Sequence, residues 1–259
     1  MTRVSDTPEF IDAVSANGAL PFFAAAMLRP DELKKKLEST KLLLDTRPWG
    51  VGLLGFLPKD IRDPQFQVVK DISPTWVLIA GGRPDQAEEF EKAGIKAFIH
   101  APTLELFKQY IQDGATNLIL EGRECGGHVG PVGSLVLWEE CTEWLKTGAL
   151  PKEKDKYHLV LAGGIADADT CATARLISLE LKNIGFHVGY LSGTPYLYTD
   201  EAVESGAIIE SYRTTVIEAN ATVNLETGAG HASRCAVTPF AHEFQELKNK
   251  LIEEGLNGY

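Results

Sequence analysis

The sequence predicts an α/β protein whose strands form one parallel sheet. Short apolar runs alternate with longer amphipathic stretches along the 259 residues, and several of these stretches close on a glycine. The apolar runs are continuously hydrophobic, whereas a strand with one face in water would alternate apolar and polar residues. Both faces of these strands are therefore expected to be buried. The repeated order of strand, loop, helix and glycine is typical of βαβ units.

Seven strands are predicted from the apolar runs, at Pro21–Ala26, Trp49–Gly55, Trp76–Ala80, Ile95–His100, Asn117–Glu121, His158–Ala162 and His187–Leu191. Helix-start signals, such as a proline in the first turn or a Ser, Thr or Asp cap, stand before most of the amphipathic stretches. The predicted helices follow the Ser5-Asp6-Thr7-Pro8 signal up to Ala16 and then cover Asp31–Leu44, Gln86–Ala93, Leu104–Gln112, Ser134–Thr147, Thr170–Asn183 and His242–Glu254.

The strand count falls one short of a closed barrel. A (β/α)8 barrel, or TIM barrel, takes roughly 250 residues and eight strands. Because only Met1–Val4 precede the first helix signal, we predict a TIM (β/α)8-type barrel with the first strand missing or truncated. An open seven-stranded sheet is the alternative. No linker divides the chain, so residues 1–259 are predicted as one domain, with the barrel over about 1–209 and a C-terminal extension with a terminal helix over 210–259.

Composition excludes several classes of partner. The net charge is −11 and the pI is near 5.1, which argues against nucleic acid because phosphate binding needs clustered Lys and Arg. The four cysteines form no C-x-x-C pair, so neither a metal site nor a disulfide framework is expected. The longest apolar-looking stretch, Gly18–Leu28, is shorter than the roughly 20 residues of a membrane span. No signal peptide is recognised, so a cytoplasmic protein is expected.

The densest glycine signal follows the strand Asn117–Glu121 and includes Gly122, Gly126, Gly127 and His128. In a barrel this loop lies on the C-terminal face, where active sites are built. Glycines let a backbone approach a flat ligand closely, and histidine is the residue type most often used as an acid or base, which makes His128 a candidate. A flexible turn with a structural histidine is the alternative. For Cys125, inside the same loop, a packing role is favoured over a thiolate role.

Two further glycine signals follow the last two predicted strands. Gly163-Gly164 comes after His158–Ala162, and Gly193-Thr194 comes after His187–Leu191. The loops after the last two strands of a barrel are where a phosphate is commonly bound through backbone N–H groups. Together the two loops predict a phosphate-bearing cofactor or substrate, and amide donors make a Lys or Arg unnecessary there.

These loops resemble the nitronate monooxygenase family, flavin-dependent barrels formerly called 2-nitropropane dioxygenases. The family includes FMN-dependent enoyl-acyl-carrier-protein reductases. The motifs that carry the resemblance are Glu124-Cys125-Gly126-Gly127-His128, Ala162-Gly163-Gly164-Ile165 and Gly193-Thr194-Pro195-Tyr196-Leu197. They occur in the family's order, and the resemblance covers about residues 1 to 240.

The resemblance implies FMN as cofactor and His128 as the catalytic acid or base. The residues implied for cofactor binding are Gly52, Gly122, Gly126, Gly127, Ala162, Gly163, Gly164, Gly193 and Thr194. The primary expectation is oxidation of a nitronate or nitroalkane. The alternatives are reduction of an enoyl thioester, linked to a polyketide or fatty acid synthase, and a non-catalytic barrel module of such a synthase. Acyl carrier protein or neighbouring synthase domains are the partners that these alternatives imply.

The chain departs from the family pattern in ways that argue against a housekeeping nitronate enzyme, and its opening and its Glu124–Pro131 loop resemble barrels associated with polyketide and polyunsaturated-fatty-acid synthases. The usual opening strand that ends Gln-Gly-Pro-Met is absent, and the chain begins Met1-Thr2-Arg3. Val129 and Pro195 stand where the family often has arginine, and Gly50–Leu54 lacks the asparagine common in nitronate monooxygenases. A barrel that binds a phosphorylated substrate without flavin, as in the inosine-monophosphate dehydrogenase group, is a weaker reading because the motif around Cys125 does not match.

Overall fold

The fold is an open parallel sheet of seven strands with helices packed on its outer face. The computed structural model describes residues 5–26, 28–147, 153–228 and 231–256. The strands of the large sheet are β1 (Phe22–Ala24), β2 (Gly50–Leu54), β3 (Trp76–Ala80), β4 (Lys96–Ala101), β5 (Asn117–Glu121), β7 (His158–Ala162) and β8 (His187–Leu191). They pair in that order and all neighbours run parallel. The predicted strands are confirmed to within about two residues at each end.

The helices follow the strands as βαβ units require. They are α1 (Pro8–Ala16), α2 (Pro30–Leu44), α3 (Lys59–Ile72), α4 (Pro84–Lys92), α5 (Leu104–Gln112), α6 (Ser134–Lys146), α7 (Ala168–Ile177), α8 (Leu179–Ile184), α9 (Asp200–Glu204), α10 (Glu210–Glu218) and α11 (Pro239–Glu253). Proline lies in the first turn of α1, α2, α4 and α11, and Thr103 caps α5 by accepting a hydrogen bond from the Leu106 amide. Such capping satisfies donors that a helix terminus leaves free.

Three helices, α3, α9 and α10, were not predicted, and one predicted helix is divided in two. Helix α3 contains an internal proline, Pro64, and its buried side chains Gln65, Phe66, Val69 and Ile72 all follow that proline. That proline interrupts the helical pattern in the sequence while the helix continues through it. The predicted helix Thr170–Asn183 is divided in two at Ser178, whose hydroxyl bonds the Arg175 carbonyl oxygen at 2.8 Å.

The large sheet is curled like a barrel but does not close. Among the described residues, no strand bridges β1 and β8, which form the two edges of the sheet. A strand preceding α1 would belong at this opening, and the predicted remnant Met1–Val4 lies outside the described residues. The TIM-barrel-like α/β class is confirmed with seven strands.

Two clusters of apolar side chains stabilise the sheet. The larger lies between the sheet and its helices and includes Phe23, Leu33 and Phe90, all fully buried. The smaller lies on the inner face and consists of Leu78, Phe98, Ile119 and Ala162, with further apolar side chains packed around it. Both faces of the strands are therefore apolar, which explains the continuous hydrophobic runs in the sequence.

The C-terminal extension contains strands that the sequence pattern did not show. Strand β6 (Gly127–Val129) from the glycine loop pairs antiparallel with β10 (Ala232–Ala236), which in turn pairs with β9 (Thr222–Glu226). Both C-terminal strands mix polar and apolar residues and are partly exposed, so they lack the apolar runs of the large sheet. The small sheet attaches the extension to the loop that carries His128.

In the part of the chain described, no helix has both the length and the apolar run needed to cross a membrane.

The pairing between β10 and β6 predicts that the extension orders the glycine loop. Ser233, which faces His128 in the register of the two strands, lies in the central strand of the small sheet. Ser233→Pro removes a backbone N–H from that strand, so amide hydrogen exchange at residues 127–129 is expected to accelerate while exchange in β3 stays slow. Ser233→Thr is the control and should leave both rates unchanged. Unaltered protection of residues 127–129 in the proline variant would show that the loop is ordered without the extension.

Candidate functional site

A large cleft lies over the carboxyl ends of β1 to β5. Its volume is about 1980 Å³, and its lining is more apolar than polar. The strand ends contribute Leu54, Ala80, His100 and Glu121 to its floor. The opposite wall comes from the small sheet and α11 and includes Gly127, His128, Ala232, Ser233, Phe244, Leu247, Lys248 and Leu251. The cleft therefore occupies the end of the sheet at which enzymes of this fold class place their active sites.

His128 lies on the cleft wall, where its side chain is exposed. It belongs to β6 and follows Gly127, whose φ of +76° is in the left-handed region that favours glycine. Its ring lies 6.0 Å from the ring of Phe56, centroid to centroid, and both residues line the cleft. The imidazole can thus reach a ligand in the cleft and exchange protons with solvent.

A close approach between two loops and α6 fixes the start of the glycine loop. A Cβ on Gly122 would lie 2.1 Å from Ser134 Oγ, and a Cβ on Gly163 would lie 2.1 Å from the same atom. Neither position can hold a side chain unless α6 moves. The indole N–H of Trp138 in turn donates to the Leu120 carbonyl oxygen at 3.2 Å, which holds α6 against β5. Gly122 and Gly163 thus have a packing role in addition to any contact with a ligand.

Glu124 occupies the N-terminus of α6. Its carboxylate accepts hydrogen bonds from the Ser134 amide at 2.6 Å and from the Ser134 hydroxyl at 2.5 Å. Burial raises the pKa of the Glu124 carboxyl, but the hydrogen bonds from Ser134 outweigh that effect and leave the pKa lowered. A carboxylate at a helix N-terminus is also favoured by the helix dipole. Glu124 is therefore a structural anchor for the loop.

The loops after β7 and β8 present free backbone donors. The amides of Gly163, Gly164, Gly193 and Thr194 donate no hydrogen bond to any residue in the described ranges. Three of these residues, Gly164, Gly193 and Thr194, are exposed. The hydroxyl of Ser192 donates to the Ile165 carbonyl oxygen at 2.6 Å and ties the two loops together. Exposed amides on two joined loops fit a phosphate group, so these residues suit the phosphate end of FMN.

The remaining predicted cofactor residues lie in strands of the large sheet and in the glycine loop after β5. Gly126 is exposed in the glycine loop, and no atom lies within 4 Å of the position of a Cβ there. Gly52 is buried in β2, where its carbonyl oxygen accepts from the Ala25 amide at 3.0 Å. Ala162 is buried in the inner apolar cluster. Gly127 and His128 line the cleft, whereas the glycines of the loops after β7 and β8 are not among its lining residues.

Cys125 packs against the inner apolar cluster. Burial, together with the charges of Glu121 and Glu124, raises the pKa of the Cys125 thiol well above its usual range. A thiol of this kind stays protonated near neutral pH and is a poor nucleophile. The packing role that was favoured for Cys125 is consistent with this environment.

Sequence reasoning missed a buried pair on the cleft floor. Nδ1 of His100 lies 2.7 Å from Oε2 of Glu121, and both side chains point to the inner face of the sheet at the ends of neighbouring strands. A polar residue that ends an otherwise apolar strand was the available signal, since catalytic residues of barrels commonly lie there. His100 and Glu121 are two such residues, and they lie close together because β4 and β5 are adjacent in the sheet.

The fold is shared with solved structures. FabK from Thermotoga maritima superimposes with a TM-score of 0.78 and 25% identity, over 96% of this chain and 73% of that one. A point variant of the same FabK gives a TM-score of 0.74 and 26% identity, over 93% of this chain and 73% of that one. The chain is similar to FabK along almost its whole length. The resemblance to the nitronate monooxygenase-like proteins is thereby confirmed.

Two other proteins are similar at lower identity. Nitroalkane oxidase from Streptomyces ansochromogenes shares the fold, with a TM-score of 0.73 and 22% identity over 94% of this chain and 76% of that one. A 5-hydroxy-7a-methyl-1-oxo-octahydro-1H-indene-4-carboxyl-CoA dehydrogenase from Rhodococcus jostii is 23% identical over 210 residues, 79% of this chain and 52% of that protein. The chain thus spans about half the length of this curated relative. No family model matches the chain. The similar proteins are oxidoreductases.

The lowered pKa of Glu124 predicts a measurable acid sensitivity. A carboxyl whose pKa is lower in the folded state contributes stability that is complete above its unfolded pKa and lost as the pH falls through the folded value. Glu124→Gln should therefore lower Tm at pH 7, and its difference from the wild-type protein should narrow below about pH 4. Thermal melts across this pH range measure the effect. Glu246→Gln, on the exposed side of α11, is the control for a simple change of charge. If the Tm difference between Glu124→Gln and the wild-type protein does not change with pH, Glu124 is not the anchor of the loop.

Proposed function

We propose that the protein is an FMN-dependent oxidoreductase that reduces an enoyl thioester. The observation that carries the proposal is the cleft of about 1980 Å³ beside His128, with an apolar wall that includes Phe56, Phe244 and Leu247. An apolar cleft of this size suits an acyl chain better than a small nitroalkane. The similarity to FabK, an enoyl-acyl-carrier-protein reductase, and to a dehydrogenase of a CoA thioester supports the same substrate class.

FMN fits the residues present. The free amides of Gly163, Gly164, Gly193 and Thr194 would bind its phosphate, and the inner strand ends beside them would face its ring. FMN, when bound and reduced by an electron donor, would supply the hydride that the reaction requires and would itself be oxidised. The similar proteins FabK and nitroalkane oxidase are flavin-dependent, which supports a flavin here.

His128 would supply the proton. Reduction of an enoyl thioester adds a hydride to one carbon of the double bond and a proton to the other. The exposed imidazole of His128 can give a ring proton to the second carbon and regain it from solvent. Phe56 beside it would limit the positions that a bound chain can take, because its ring packs near the imidazole.

Nitronate oxidation is the second candidate. The three glycine motifs resemble nitronate monooxygenases as closely as they resemble the reductases, and His128 would then hold the proton taken from the nitroalkane carbon. Acyl carrier protein or neighbouring synthase domains would be partners only of the reductase. Parallel assays of an enoyl thioester and of a nitronate with the FMN-loaded protein decide between the two. A purified protein that takes up no FMN would instead favour a non-catalytic module.

The role of His128 is testable by single turnover. His128→Ala in the dithionite-reduced, FMN-loaded protein should slow reduction of crotonyl-CoA by roughly 100-fold or more, because a positioned acid is lost. The flavin absorbance should remain, since FMN binding does not need this side chain. His242→Ala, on the exposed side of α11, is the matched control. A His128→Ala rate within twofold of the wild-type rate would remove His128 from the mechanism.

The phosphate site is testable by charge alone. Gly193 has a φ of −121°, and no atom lies within 4 Å of the position of a Cβ there, so a side chain is accepted without strain. Gly193→Asp should weaken FMN binding about tenfold or more, because a carboxylate would face the phosphate. Gly193→Asn has the same shape without the charge and should bind FMN more tightly than the aspartate variant. Equal dissociation constants for the two variants in FMN titrations would contradict a phosphate at this loop.

A further inference from the structure

The buried pair His100–Glu121 has no role in the mechanism described above. The two residues end neighbouring strands, β4 and β5, and both line the floor of the cleft. Their side chains are only 10% and 15% exposed. Burying a polar pair of this kind is costly unless its hydrogen-bonding groups are satisfied.

The pair leaves one hydrogen-bonding atom unsatisfied. With an ionised Glu121 carboxylate, which can only accept hydrogen bonds, Nδ1 of His100 carries the hydrogen between the two side chains. Nε2 is an acceptor when the ring is neutral. It is buried and has no hydrogen-bond partner among the described residues. An unpaired buried acceptor costs stability, and a ligand with a donor group would remove that cost.

The distance in the sheet between this acceptor and the loops after β7 and β8 suits the length of FMN. Going from β4 to β8 crosses three strand spacings, which is roughly 14 Å. FMN carries its phosphate and its ring system at opposite ends of a ribityl chain. A phosphate bound at Gly193 and Thr194 therefore leaves the ring near the ends of β4 and β5, where His100 and Glu121 lie.

We propose that His100, oriented by Glu121, accepts a hydrogen bond at Nε2 from an N–H of the isoalloxazine ring. His100 is then a cofactor-positioning residue distinct from His128, which serves the substrate. Glu121 fixes the tautomer that leaves Nε2 as acceptor, in the way that a carboxylate partner orients other functional imidazoles. The inference rests on the proposed binding of FMN.

Flavin titration of His100→Phe tests the inference, because phenylalanine keeps the ring and removes both nitrogens. The variant should bind FMN about tenfold more weakly, and the absorption maxima and reduction potential of the bound flavin should shift. His158→Phe is the matched control. It changes a histidine on the inner face at the opposite end of the sheet, where His158 stacks on His187, and all three flavin properties should match wild type.

The outcomes separate this inference from the proposed function. If the wild-type protein takes up no FMN, both are wrong. If wild type and His158→Phe bind FMN and His100→Phe binds it with the same affinity, spectrum and potential, only the role of His100 is wrong. Circular dichroism of the unliganded variants checks folding. Should His100→Phe fail to fold, His100→Phe/Glu121→Leu replaces it, since that variant leaves no carboxylate without a partner, and the same losses are expected.

Discussion

The position of the glycine loop depends on the close approach of Ser134 to Gly122 and Gly163. The loops after β5 and β7 meet the first turn of α6 so closely that neither glycine has room for a Cβ atom. Glu124 then binds the same turn through the Ser134 amide and hydroxyl. These contacts determine where the chain leaves β5, so they also determine that β6 carries His128 along the wall of the cleft.

The site combines elements that are distant in the sequence. Parallel strands bring their carboxyl ends to one face, which places His100 and Glu121 on the cleft floor. The extension adds a wall, because β10 pairs with β6 and α11 lies over the cleft. Backbone amides of Gly193 and Thr194 supply donors for an anion without cationic side chains. An acidic protein of net charge −11 can bind a phosphate in this way.

The sequence predicted the large sheet well because strands buried on both faces leave continuous apolar runs. It did not predict β9 and β10, whose partly exposed residues leave no such runs. Helix α3 was missed because Pro64 interrupts its pattern. The pair His100–Glu121 was missed for a different reason: its two members are 21 residues apart, and only the register of β4 and β5 brings them together. Motifs identified the glycines, but only the structure shows that Gly122 and Gly163 also have a packing role.

A crystal structure of the protein with FMN tests the central claim most directly. The account predicts the phosphate on the amides of the loops after β7 and β8, with the ring over the ends of β4 and β5 beside His100 and the cleft open next to His128. FMN bound elsewhere, with its phosphate away from Gly193 and Thr194, would contradict the account. So would a crystal soaked with FMN that holds none, provided that packing leaves the cleft accessible.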